Sequence, residues 1–195
     1  MLERLMELNL YKKTEKTGYN DRFITKLLRN YRSHGSLLTI PNELFYEGEL
    51  QVWADQDFRN SLCEWKHLPS KGFPLIFHEV TGRMDREDNA SLFNGYEVAI
   101  LMRYLKALLE DVPPGDIGLM APYRKQVGTV EAFQGVEKRV ILLSTVRSTR
   151  GPGTPSSVGF LADPKRFNVA MTRARALLIV AGNSQALTKD RIWSR

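Results

Sequence analysis

The chain has 195 residues, which fits one large domain or two small ones. Its 43% hydrophobic and 26% charged residues are ordinary for a globular protein, and no apolar run approaches the ~18–20 residues that span a bilayer. No signal-peptide pattern opens the chain, and we expect no membrane partner. Cys63 is the only cysteine, which excludes an internal disulfide and a cysteine-based zinc site and favours a reducing, intracellular setting.

The net charge of +6 is unevenly distributed along the chain. Residues 135–195 hold 11 Lys or Arg against 3 Asp or Glu, so all of the basic excess lies there. A polyanion-binding surface and a solvated basic face would both produce this asymmetry. Because several of these arginines lie within or beside apolar segments, the pattern favours phosphate contact.

The first half of the chain alternates short apolar runs with polar connections. Apolar spacing predicts a helix over residues 2–10, a short strand over 24–28, and a helix over 36–46 despite Pro41. Residues 47–70 are predicted to be an irregular connection that packs its aromatic residues on the domain edge. A strand is predicted over 73–80 and a charged loop over 81–89.

The middle of the chain predicts an amphipathic helix over residues 93–110, followed by a strand that begins at 117–120. Asn94 and Glu97 stand at capping-box spacing at the start of that helix. Capping alone is therefore the predicted role of this pair.

Two stretches near the C-terminus combine an apolar run with polar residues that packing does not require. Residues 127–148 join the run 140–146 to the sequence FQGVE at 133–137. Residues 159–183 join the run 176–181 to Asn168 and to TRAR at 172–175, with Asp163 and Pro164 placed to begin a helix. Polar groups at the ends of buried strands line ligand crevices in α/β sheets, and two arginines at i and i+2 suit phosphate.

These stretches resemble motifs V and VI of superfamily-one helicases of the Up-frameshift type, and the surrounding residues are similar to the Mov-ten branch. Further matches follow in order: ITKLLRNYRSH at 24–34, IPNELFYEGEL at 40–50, KGFPLIFHEV at 71–80 and APYRKQ at 121–126. The resemblance covers nearly the whole chain. It implies one α/β domain over residues 1–195, with a three-layer, RecA-like (P-loop NTPase-like) fold and a mainly parallel β-sheet. This would be the second RecA-like domain of an ATP-dependent RNA helicase.

The chain departs from the family pattern where residues 122–127 run directly into 128–130. In the family a helix and a variable linker separate these two pieces. We therefore expect residues to be missing between Val127 and Gly128.

The resemblance also implies roles at an ATP site. Arg173 would be the arginine finger that neutralises charge on the γ-phosphate, and Arg32 would reach the ATP phosphates. Glu137 would accept hydrogen bonds from ribose hydroxyls, whereas Arg175 would support Arg173, contact phosphate or form an ion pair within the domain. Gly135 is expected to be required by a tight turn. The residues implied for ATP binding are Gln134, Gly135, Glu137 and Arg175.

Single-stranded RNA is the implied partner of a second group of residues. Hydroxyl groups and an arginine after the strand at 140–146 can hold the sugar-phosphate backbone without reading bases. The residues implied for RNA binding are Tyr123, Ser144, Thr145, Arg147, Asn168 and Thr172.

The sequence holds no GxxxxGK[ST] loop and no Walker B acidic pair, so this chain lacks its own Walker A loop. ATP and Mg²⁺ would be bound jointly with the first RecA-like domain, and no metal ligands are assigned here. The resemblance also implies silencing or mRNA-decay factors as partners and a cytoplasmic location that includes P-bodies or other RNA granules. The alternative is a non-catalytic RNA-binding or scaffold module of a silencing complex.

Overall fold

Short helices and strands precede a longer α/β core. The computed structural model describes residues 2–14, 18–20, 22–86, 92–122, 130, 133, 135–149 and 162–195. The helices are α1 (Leu2–Met6), α2 (Gly35–Phe45), α3 (Gln56–Asn60), α4 (Gly95–Leu108), α5 (Pro164–Met171) and α6 (Ser184–Leu187). The strands are β1 (Arg29–Asn30), β2 (Gln51–Val52), β3 (Leu75–Glu79), β4 (Asp85–Arg86), β5 (Leu92–Phe93), β6 (Ile117–Met120), β7 (Lys138–Ser144) and β8 (Ala174–Gly182).

The central sheet contains four strands in the order β3-β8-β7-β6, and every neighbouring pair is parallel. Its two middle strands, β7 and β8, are almost entirely buried, as is typical of parallel strands covered on both faces. The strand order is not the sequence order, so the chain crosses over the sheet between strands. The helices α4 and α5 lie in two of these crossovers.

Two apolar clusters lie on opposite faces of the sheet. Successive residues of a strand point to opposite faces, and accordingly Leu177 belongs to one cluster and Leu178 to the other. On the first face Leu101 and Leu108 of α4 complete the cluster. On the second face Leu37 of α2 joins Phe167, Ala170 and Met171 of α5. The predicted three-layer, RecA-like α/β fold with a parallel sheet is confirmed.

Both capping predictions for the long helices are confirmed in geometry. Asp163 Oδ1 accepts from the amides of Lys165 at 2.8 Å and Arg166 at 3.3 Å, and Pro164 occupies the first turn of α5. Asn94 Oδ1 accepts from the amide of Tyr96 at 3.1 Å and from the next amide at 3.3 Å at the start of α4. These caps fix where each helix begins.

The predicted strand over residues 24–28 is wrong. Leu27 is 88% exposed, so the apolar run that indicated a strand is not buried. The strand follows it at Arg29–Asn30 and pairs in parallel with Gln51–Val52. The connection over 47–70 is also more regular than predicted, since Asp55 Oδ1 accepts from the Phe58 amide at 2.8 Å and begins α3.

Two predictions concern parts of the chain outside the described residues. The expected interruption between Val127 and Gly128 falls within residues 123–129. The sequence also predicts a loop over residues 149–157, which are rich in Gly, Pro and Ser, and only the first of them is described.

Candidate functional site

The first group of predicted site residues lies at the amino ends of β7 and β8. Lys138 pairs with Ala174 in the register of these strands, and the Lys138 amide donates to the Arg173 carbonyl at 3.2 Å. The residues just before the two strands, Glu137 and Arg173, are therefore brought to the same edge of the sheet.

A tight turn after β1 brings a third predicted residue to this edge. Asn30 Oδ1 accepts from the amides of Arg32 and Ser33, both at 2.9 Å, which is the geometry by which asparagine stabilises a turn. Ser33 is buried, and its Oγ donates to the Ala174 carbonyl at 2.8 Å. The turn is thereby fastened to the start of β8, and Arg32 lies beside Arg173.

Arg32, Glu137 and Arg173, to which the resemblance gives roles at an ATP site, form one cluster. Arg32 Nε donates to Glu137 Oε2 at 2.6 Å, and its Nη1 donates to the Thr172 carbonyl at 3.4 Å. Arg173 Nη2 donates to Thr172 Oγ1 at 3.2 Å. Only Arg32 is paired with Glu137, while Arg173 lies near enough for both charges to influence its pKa. The cluster therefore carries an excess of positive charge that suits an anionic ligand.

Arg173 has unused hydrogen-bonding capacity in this cluster. Its Nε is buried and has no hydrogen-bond partner among the described residues. Burial, followed by the neighbouring Arg32, lowers the pKa of Arg173, while Glu137 and Tyr46 act in the opposite direction. Arginine nevertheless remains charged in proteins, and a buried charge requires compensation. The planar guanidinium is shaped to donate to the oxygens of a nucleotide phosphate, so the residues present fit this part of ATP.

Asn168 and Thr172, which the resemblance assigns to RNA, lie beside Arg173. Asn168 Nδ2 donates to the Tyr46 hydroxyl at 3.1 Å, and its buried Oδ1 has no hydrogen-bond partner within the described part of the chain. Thr172 Oγ1 donates to the Asn168 carbonyl at 2.7 Å, which ends α5. The predicted RNA contacts of these two residues stay predictions.

Arg175 contacts an aromatic ring. Its guanidinium lies 4.1 Å from the ring centroid of Phe58 on α3, and that of Arg139 lies 5.7 Å from the same centroid. Among the described residues, the buried Nε of Arg175 has no hydrogen-bond partner and its guanidinium forms no ion pair. The geometry instead gives Arg175 a cation–π contact, which is none of the roles considered from the sequence. Its contact with ATP stays a prediction.

The second group of predicted residues lies at the opposite end of β7. With a rise of ~3.3 Å per residue, the two ends of this strand are about 20 Å apart. Ser144 and Thr145 are fully buried, and both hydroxyls donate to the carboxylate of Glu97, the Thr145 bond at 3.3 Å. Their predicted contact with RNA is not tested by this arrangement, in which both hydroxyls are engaged.

Glu97 has a larger role than the predicted helix cap. Its side chain points to the end of β7, where the amide of Val146 donates to Oε2 at 2.8 Å, and Asn94 Nδ2 donates to Oε1 at 3.2 Å. Burial raises the pKa of Glu97 to about 7, although its hydrogen bonds lower it. The prediction that capping alone explains this residue is wrong, because the carboxylate joins α4 to residues 144–146.

The backbone after β7 adopts an uncommon conformation. Val146 is fully buried and has a φ of +64°, in the left-handed region that β-branched residues rarely adopt. Arg147 and Ser148 are also buried, with exposures of 6% and 3%, and Ser148 Oγ donates to the Gly82 carbonyl at 2.6 Å. The RNA contact of Arg147 stays a prediction.

The remaining predicted residues lie in the segment before β7. Gly135 has a φ of +81°, and the amide of Val136 donates to the Phe133 carbonyl at 3.0 Å across the turn. The expectation that a turn requires glycine here is confirmed, while its contact with ATP stays a prediction. Gln134 and Tyr123 lie outside the described residues.

Sequence reasoning missed three residues that shape these groups: Tyr46, Phe58 and Glu97. Only Glu97 carries a signal in the sequence, since it stands three positions after a helix-capping asparagine, and that spacing predicts capping alone. Among the described residues, no group of three or more His, Cys, Asp or Glu side chains is placed to hold a metal ion. Nor does the described part of the chain contain a helix with the length and apolar character needed to cross a membrane.

Comparison with known proteins identifies the family. A family model described as "AAA domain" matches residues 1–128 and 126–185. The protein mov-10-B.1 of Danio rerio is 46% identical in an alignment of 232 residues that covers 100% of this chain and 23% of that protein. Human "RNA helicase Mov10l1" is 44% identical over 97% of this chain and 18% of its own length. "Regulator of nonsense transcripts 1" of Dictyostelium discoideum is 34% identical over 87% of this chain and 14% of its own length.

The chain spans less than a quarter of the length of these relatives. The family model matches most of the residues described above, including both groups of site residues. The chain therefore belongs to the AAA domain family, and its end-to-end similarity is to helicases of the Mov10 type.

Proposed function

We propose that this chain is the second RecA-like domain of an ATP-dependent RNA helicase. The observation that carries the proposal is the Arg32–Glu137–Arg173 cluster, in which the buried Nε of Arg173 has no acceptor among the residues that the structure describes. The relatives named RNA helicase Mov10l1 support RNA as the nucleic acid. The chain has no Walker A loop, so the first RecA-like domain would supply that loop and the ligands of Mg²⁺.

In this proposal Arg173 acts as the arginine finger. Bound ATP supplies a γ-phosphate on which negative charge builds up during hydrolysis. The guanidinium of Arg173 donates to that charge, and Arg32 contacts the same phosphates. The edge of the sheet that carries both residues would close against the first RecA-like domain when ATP is bound.

RNA would run across the opposite end of β7, near residues 144–148. Binding would be largely independent of base sequence and would weaken as salt is raised. The relatives named regulators of nonsense transcripts favour a role in mRNA regulation, and the Mov-ten resemblance favours RNA silencing. Both remain roles of the whole protein, to which this chain contributes one domain.

The test is RNA-stimulated ATP turnover by the full-length protein that contains this chain. Arg173→Ala should lower turnover by ~10³ or more while RNA binding is retained. Arg191→Ala is the matched control, because Arg191 is exposed and lies in the C-terminal segment away from the cluster. Unchanged turnover in Arg173→Ala would remove the arginine-finger assignment. Absence of turnover in the wild type, with RNA binding intact, would favour the scaffold alternative.

A further inference from the structure

The contacts of Glu97 exceed what packing of α4 requires. The residue is fully buried, and its carboxylate accepts from the hydroxyls of Ser144 and Thr145 and from the Val146 amide at 2.8 Å. Burial of a carboxylate is unfavourable unless its oxygens are hydrogen-bonded, and here the donors are consecutive residues of a single segment. Glu97 therefore binds the backbone and side chains of residues 144–146 as a unit.

The conformation that this carboxylate holds is a strained one. A β-branched residue at a φ of +64° persists only when its surroundings enforce that conformation. The amide of Val146 is held by Glu97, and its side chain packs in a cluster with Met84, Leu92 and Ala121. Loss of the Glu97 contact would remove one of these two constraints.

Thr145, which precedes Val146, is attached to the sheet. The Thr145 amide donates to the Ala181 carbonyl at 3.1 Å. A Cβ on Gly182 would lie 2.6 Å from Thr145 Oγ1, so only glycine at that position leaves room for the threonine side chain. The start of the segment is thus attached to β8, and the turn at Val146 sets the direction in which Arg147 and Ser148 continue.

We propose that Glu97 is a positioning residue for RNA binding: it holds residues 144–148 in the buried conformation that shapes the end of the sheet where RNA would run. The inference rests on the proposed function, in which this segment faces RNA. When Glu97 is removed, Val146 can return to negative φ and carry Arg147 and Ser148 away from that conformation. The apparent RNA affinity then falls in proportion to the fraction of molecules that remain competent.

The experiment uses the full-length protein and a labelled single-stranded oligouridine as the RNA probe. Glu97→Gln keeps the size of the side chain but replaces one of the two acceptor oxygens with an NH₂ group, which cannot accept from the same donors. We expect RNA binding to weaken by about tenfold, and the RNA concentration for half-maximal ATP turnover to rise by a similar factor. Turnover at saturating RNA should change far less.

Rescue separates positioning from a merely structural role. Glycine adopts positive φ without strain and alanine does not, whereas both truncate the Val146 side chain. In the Glu97→Gln background, Val146→Gly should therefore restore RNA affinity at least in part, and Val146→Ala should not. Equal effects of the two substitutions, or wild-type affinity in Glu97→Gln alone, would overturn the inference.

Further variants distinguish failure of the inference from failure of the proposed function. If Arg147→Ala weakens RNA binding and Glu97→Gln does not, the segment binds RNA but Glu97 does not position it. If neither variant weakens binding, the assignment of this segment to RNA is wrong, and the inference fails with it. If thermal unfolding shows that Glu97→Gln does not fold, Thr145→Val and Ser144→Ala replace it, because each removes one donor to the Glu97 carboxylate. Wild-type RNA affinity in both of these variants would overturn the inference.

Discussion

Arg32 and Glu137, 105 positions apart in the sequence, form an ion pair in which Nε and Oε2 are 2.6 Å apart. The resemblance assigned one residue to the ATP phosphates and the other to the ribose. In this structure the two residues are paired with each other, and the Nε of the neighbouring Arg173 has no acceptor among the described residues. On the proposed function, binding of ATP would therefore exchange the carboxylate on Arg32 for a phosphate.

Arg32→Ala should separate function from stability. The ion pair is about one-third exposed, and such pairs contribute about 0–1 kcal/mol to the free energy of unfolding. We expect a small loss in the free energy of unfolding, measured in urea, but a large fall in ATP turnover by the full-length protein. Arg195→Ala removes another arginine ion pair, with Glu43 at 2.8 Å, and should leave turnover unchanged. A loss of stability well above 1 kcal/mol in Arg32→Ala alone would indicate a mainly structural role.

Arg173→Met should not destabilise the folded protein. The substitution replaces a half-buried cation, whose Nε lacks a hydrogen-bond partner, with an apolar chain of similar length. Because the substitution removes a buried polar group that lacks a hydrogen bond, the free energy of unfolding should stay the same or rise by up to about 1 kcal/mol. ATP turnover should be lost. Thermal unfolding and turnover of the same preparation measure both effects. Marked destabilisation would show that Arg173 is held for packing.

Arg175→Ala should lower the stability of the folded protein but leave most of its ATP turnover. The stacking of its guanidinium on Phe58 at 4.1 Å should be worth about 0.5–1 kcal/mol of stability. Phe58→Leu should cost a similar amount, and the double variant should lose less than the sum, because both substitutions remove one contact. Turnover should fall far less than in Arg173→Ala. A comparable fall in turnover would return Arg175 to the phosphate-binding residues.

Much of the fold could be predicted because local signals and burial agree. The apolar run at 176–181 lies within β8, and the run at 140–146 lies in β7 as far as Ser144, where that strand ends. Asp163 with Pro164 begins α5 where the sequence predicts it. The strand predicted at 24–28 failed because an apolar run predicts burial, whereas the position of β1 is set by pairing with β2. Such long-range pairing leaves no local pattern.

The sequence was sufficient to predict which residues lie together in the candidate site, but not which of them contact each other. The resemblance named Arg32, Glu137 and Arg173, and the fold brings them together at one edge. It could not indicate that Glu137 would bind Arg32, since a charge beside Lys138 suggests only a solvated surface. The inward turn of Glu97 was also hidden, because capping gave a sufficient explanation from sequence alone.

Glu97 should impose a measurable pH dependence on stability. Because its pKa is about 7 in the folded state, against a usual value of 4.5, the folded protein keeps a proton that the unfolded chain loses. The contribution of this residue to stability should therefore be greatest below about pH 4.5 and fall as the pH rises to about 7, by a few kcal/mol at most. The readout is the difference in unfolding free energy between wild type and Glu97→Gln, measured at pH 5 and pH 8 so that other titrating groups cancel. The stability advantage of wild type over Glu97→Gln should be larger at pH 5 than at pH 8. An advantage that instead grows with pH would show that the carboxylate is ionised throughout this range.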